Sequence, residues 1–106
     1  MSIKNDAGFI LNVLYNKRVK NRNEKIGGKD IIRESEWDEN RVYNALDYLC
    51  ESSLVKIVRS PHTPYKLLLI HANGINLIEK EGEFERHFEM GFNFGIINFK
   101  WGAKER

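Results

Sequence analysis

The chain has 106 residues, 42% hydrophobic and 11% aromatic, enough for one compact domain and too few for two ordinary ones. Charged residues make up 30% and the net charge is only +2, which indicates a soluble surface and exerts a weak overall pull on a polyanion. The single cysteine, Cys50, excludes an internal disulfide and a cysteine-rich zinc site, and no apolar run approaches the roughly 18 residues of a membrane helix.

The opening stretch, MSIKNDAGFILNVLYNKR, has helical period and no small-residue cleavage site. It reads as a structural helix and not a signal peptide, and a cytoplasmic location is the expectation. Charge is unevenly spread. Lys17, Arg18, Lys20, Arg22 and Lys25 face only Glu24 in their stretch, whereas Glu79, Glu81, Glu83, Glu85 and Glu89 outnumber Lys80 and Arg86. A basic side and an acidic side are expected, the plainer alternative being two solvated faces.

Asp6 to Lys17 is predicted as the first helix, with Ala7, Ile10, Leu11 and Leu14 on one stripe widened by Phe9 and Val13. Asn5 or Asp6 is its cap, and its end falls near Lys20. Asn21 to Gly28 is a polar loop in which Ile26 can form a very short strand. Lys29 to Ser35 is a short helix with Ile31 and Ile32 facing inward. Trp37 is expected to plug the turn that follows, an exposed stacking residue being the alternative.

Asp38 to Ser53 is the stretch that the chain is expected to present. Val42, Ala45, Leu46 and Leu49 form its buried stripe, Asp38 caps it, and Asn40, Arg41, Tyr43, Asn44 and Asp47 fall outside the stripe. The pattern then becomes extended. Leu54 to Arg59 and Tyr65 to Ile70 are predicted strands of a hairpin, with Ser60-Pro61-His62-Thr63-Pro64 as a five-residue tip that the prolines keep out of the ladder. His71 to Phe88 is helical again, capped by His71 or Asn73 and divisible at Gly82. Its charge suggests wide exposure. Met90 to Trp101 is apolar and aromatic. It reads as an extended segment that folds back on its own domain or pairs with a second copy.

The order of these elements, with KDIIRESEWDENRVYNALDYLCESSLVKIVRS at Lys29 to Ser60, resembles the winged helix-turn-helix domain. Leu49, Leu54 and Val55 match the end of its third helix, and IHANGINLIEKEG resembles the segment after the wing. The resemblance covers about residues 6 to 88. It implies a mainly α fold with a small β-hairpin and a C-terminal helix over residues 1–89; the extended aromatic tail at 90–106 lies outside the pattern and is read from its own composition as a segment that folds back or dimerises. It also implies a small transcriptional regulator that binds double-stranded DNA, with the recognition helix Asp38 to Ser53 in the major groove and the wing Ser60 to Pro64 on the backbone.

Carried onto these residues, Asn40, Arg41 and Asn44, with Tyr43 beside them, would read bases. Arg59, His62, Thr63 and Lys66 at the wing, and Lys29 and Arg33 on the second helix, would meet phosphates. Glu36, Asp38, Glu39 and Asp47 oppose this electrostatically; capping accounts for Asp38 and Glu39 only. The alternative is a winged-helix module for protein interaction or dimerisation. A homodimer through the final helix, the tail or both is expected.

Phosphate-loop, dinucleotide and zinc motifs are absent from the sequence. His62, His71 and His87 are scattered, and His87 reads as a surface partner of Glu83. Cys50 reads as the core edge of its helix, with a redox sensor as the minor alternative. The expectation is therefore a protein that is not an enzyme and uses no cofactor, metal or small-molecule ligand.

Overall fold

The computed structural model describes residues 2–89, and the side chain of Glu81 is not described. The expectations for the tail at 90–106 lie outside the described residues. The elements are α1 (Ile3–Lys20), α2 (Gly28–Ser35), α3 (Glu39–Glu51), β1 (Val55–Ser60), β2 (Thr63–Ile70), α4 (Ala72–Ile78) and α5 (Glu81–Phe88). The described chain is thus mainly helical with a two-stranded antiparallel hairpin. Among these residues no helix is long and apolar enough to cross a membrane.

The packing centre is α1, not α3. It begins about a turn earlier than its sequence pattern suggested, because Ser2 is the cap and its Oγ accepts the Asn5 N–H at 3.1 Å. Every residue from Asp6 to Leu14 is buried, so this segment is enclosed on all sides and not along one stripe. It packs against α3, β2, α4 and α5. Trp37 is 4% exposed and meets Phe9 edge-on at a centroid distance of 6.4 Å, as a turn plug should.

The third helix follows its pattern closely. Val42, Ala45, Leu46 and Leu49 are fully buried, and the Asp38 carboxylate accepts the Arg41 N–H at 2.8 Å. Between α2 and α3 the chain turns at Glu36, which takes a left-handed conformation (φ 63°) and donates its N–H to the Ile32 carbonyl. At its start, α2 is held by Asp30, whose carboxylate accepts the Gly27 N–H at 2.8 Å. That bond, with Arg33 in support, holds the Asp30 pKa below its ordinary value.

The hairpin pairs Val55 with Ile70, Lys56 with Leu69, Ile57 with Leu68, and Val58 with Leu67. The ladder resumes at Ser60 and Thr63, so the five-residue tip is corrected to a two-residue turn at Pro61-His62. The cause is an irregularity in which Pro64, Tyr65 and Lys66 stand opposite Arg59 alone. Pro64, lacking an N–H, sits in that gap and not at the turn. On its other edge β2 takes a second partner, since the Leu68 N–H donates to the Ile26 carbonyl at 2.8 Å.

The last helical stretch divides at Glu79-Lys80 and not at Gly82. On a continuous helix, Ile78 and Phe84 would point about 120° apart. Breaking the helix resets the phase, and Ile78, Phe84 and Phe88 are all buried against the core. The expected exposure holds on the outer side, where Ala72, Asn73 and Asn76 are exposed along with Glu79, Lys80, Glu83 and Arg86. Asn5 donates to the Phe88 carbonyl at 2.7 Å, and the Tyr15 hydroxyl donates to Glu79 at 2.6 Å; both bonds pin α4 and α5 to α1.

Candidate nucleic-acid interface

The stripe of α3 opposite its buried face carries, in order, Asn40, Asn44, Asp47 and Glu51. Asn40, Asn44 and Glu51 are exposed and Asp47 is half-buried. The amides thus occupy the N-terminal half of the helix and the carboxylates the C-terminal half. Two flanks border the stripe, one toward α1 and one toward the hairpin.

Arg41 lies on the α1 flank, and the structure corrects its expected place on the open face. Its Nε and Nη2 donate to the two carboxylate oxygens of Asp6 at 2.8 and 3.0 Å. Its guanidinium lies 3.9 Å from the centroid of the Trp37 ring. Asp6 is 4% exposed, so Arg41 is the counter-charge of a buried carboxylate. The pair clamps α1 to α3 and joins residues 35 positions apart.

The hairpin flank is equally structured. Tyr43 stacks on Tyr65 with centroids 4.0 Å apart and planes 15° from parallel. The Tyr65 hydroxyl donates to Asp47 at 2.7 Å, and Arg59 approaches the same carboxylate at 3.6 Å. Arg59 also covers the Tyr65 ring at 4.8 Å and donates to the Pro64 carbonyl at 3.3 Å. Tyr65 reaches α3 from the irregular stretch of β2. Burial, followed by the Asp47 hydrogen bond, raises the Tyr65 pKa, while Arg59 opposes the rise. Burial, followed by the charge of nearby Glu39, raises that of Tyr43. Asp47 is therefore a tether for the hairpin, already matched by a hydroxyl and a cation. This use of Asp47 was hidden in the sequence.

Glycines let α2 close in on this flank. A Cβ on Gly28 would lie 2.8 Å from the Tyr65 Cβ, and one on Gly27 would lie 2.6 Å from the Lys66 carbonyl oxygen. The start of α2, the flank of α3 and Tyr65-Lys66 are thereby brought together. Lys29 and Lys66 are exposed there, and neither makes an ion pair among the described residues. Arg33 is exposed but tied to Asp30 at 2.7 Å. His62 is exposed at the hairpin turn. Thr63 is half-buried, with its N–H bonded to the Ser60 hydroxyl at 3.2 Å.

The basic run is partly neutralised from within, as Lys17 pairs with Glu34 at 3.1 Å and more loosely with Glu24 at 3.9 Å. Arg18, Lys20, Arg22 and Lys25 remain exposed. His87 bonds Tyr48 at 3.1 Å across α5 and α3 and is half-buried, so the expected surface pairing with Glu83 is replaced by a contact between helices. Cys50 is half-buried. Among the described residues no group of three His, Cys, Asp or Glu side chains is placed to hold a metal ion. Comparison with protein-family models, curated proteins and solved structures found no match.

Proposed function

We propose that this chain is a winged helix-turn-helix protein that binds double-stranded DNA as a small transcriptional regulator. In this reading α3 is the recognition helix and the hairpin is the wing. One observation carries it: the hairpin is locked to the flank of α3 by the Tyr43–Tyr65 stack and the Tyr65–Asp47 bond, beside an open stripe of Asn40 and Asn44. A rigid helix flanked by a rigid hairpin can hold one position on a duplex. Lys29 and Lys66, with His62 further out, supply contacts to phosphates.

Two of the opposing carboxylates have structural roles, Asp38 as a cap and Asp47 as a tether. Glu36 and Glu39 remain exposed near the face. They favour the second reading, a winged-helix surface for a protein partner or a second copy. Leu69, 42% exposed on the outer sheet face with Val58 and Leu67, also favours it.

Fluorescence anisotropy against a random duplex at low salt tests the proposal. Binding should weaken linearly in log–log form as salt rises, by about one slope unit per phosphate contact. Absence of binding at low salt would leave the protein-partner reading. Light scattering over micromolar concentrations tests the homodimer.

A further inference from the structure

We infer that α3 reads adenine–thymine pairs, and that Asn40, Asn44 and Ile3 are its specificity-determining residues. The inference rests on the DNA-binding reading above. Guanine is matched best by an arginine that points two N–H groups at its O6 and N7. The only arginine on α3 is Arg41, and its Nε–Nη2 edge is bound to both oxygens of Asp6 with its guanidinium on the Trp37 ring, which ties it to the α1 flank instead of the outward stripe. Leaving that pair would strand a carboxylate that is 4% exposed.

The outward stripe therefore offers two carboxamides one helical turn apart. A carboxamide presents one acceptor and one donor, as adenine does in reverse at N6 and N7, whereas guanine presents two acceptors. Side chains at this spacing have Cβ atoms about 5–6 Å apart. Base pairs rise about 3.4 Å per step. The two amides thus address pairs one or two steps apart.

Ile3 supplies the second, independent observation. It is 48% exposed, which is unusual for a residue of its size, and it lines the same open hollow of about 390 Å³ as Asn40 and Asn44, whose wall also carries Asp38 and the Asp6–Arg41 pair. An apolar side chain beside two adenine-reading amides is suited to the thymine methyl of the same pair, the one apolar group in the major groove. The cap at Ser2 places Ile3 there by starting α1 a turn early.

The test is selection from a pool of duplexes with a randomised centre, using the full chain. Adenine–thymine pairs should be enriched at two positions one or two steps apart. Guanine at either position should weaken binding about tenfold. Asn40→Ala and Asn44→Ala should each erase the preference at one position and leave the preference at the other. Replacing thymine by uracil should weaken the parent and leave Ile3→Ser unchanged. Arg41→Lys, which keeps a cation against Asp6, should return the same enriched sequence. A guanine-rich or flat outcome with binding to the pool intact would overturn this inference alone. Loss of all duplex binding at low salt would overturn the DNA reading beneath it.

Discussion

Arg41→Ala should cost more stability than Asp6→Ala, although both remove the same pair. The Asp6 side chain is 6% exposed and that of Arg41 31%. Without Arg41 the carboxylate stays buried with no counter-charge, and the stack on Trp37 is lost as well. Breaking a fully buried pair costs about 3–5 kcal/mol; the partial exposure of Arg41 lowers this to about 3 kcal/mol. Without Asp6, the arginine can turn its charge to water while resting on the indole, and the cost falls to about 1–2 kcal/mol. The double variant should reveal a coupling of about 1–2 kcal/mol. Urea unfolding of the four proteins, followed by circular dichroism, measures all three quantities, with an unchanged slope confirming the comparison. An Arg41→Ala loss below about 0.5 kcal/mol, or strict additivity, would refute the clamp. The result also governs how any loss of DNA binding in Arg41→Ala is read, since destabilisation alone would produce one.

Three further outcomes follow from the core. Asn12 is fully buried, and its amide nitrogen and oxygen find no partner among the described residues, so Asn12→Leu should raise Tm by about 4–8 °C; a fall would show that the amide is satisfied. A Cβ on Gly74 would lie 2.4 Å from the Leu54 carbonyl oxygen, so Gly74→Ala should destabilise by about 1–3 kcal/mol, and a Tm equal to the parent's would disprove the close approach. Burial, then the charge of Lys4, depresses the His87 pKa below its usual 6.5, so the unfolded chain binds that proton more readily. The stabilisation is then complete above about pH 6.5 and declines as pH falls toward the lower folded pKa; His87→Gln should flatten this part of the urea-midpoint profile, and an unaltered profile would exclude His87 as its source.

Local features were legible in the sequence. The stripe of α3 and the Asp38 cap each depend on residues within a few positions, and helical period or capping chemistry exposes them; the Trp37 plug was legible from the size of its ring alone. The roles of Arg41 and Asp47 were not legible, because their partners are distant in sequence. Asp6 lies 35 positions from Arg41, and Tyr65 lies 18 from Asp47. One signal was present: Asp6 sits four residues before Ile10, on the apolar side of α1, where an acid requires a counter-charge. The helix break at Glu79-Lys80 was masked for a similar reason. Gly82 is the weaker helix former, but the need to bury both Ile78 and Phe84 determined the position. In the hairpin, the two prolines correctly signalled an interruption, yet Tyr65 and its contact with Tyr43 moved that interruption into β2.

The most direct test of the account is to titrate the ¹⁵N-labelled chain with a short duplex at low salt and follow its backbone amide resonances. Binding through α3 and the hairpin should shift residues 38–47 and 61–66 and the start of α2, while α4 and α5 stay in place. Shifts concentrated on α4 and α5, or a spectrum unchanged at excess duplex, would contradict it.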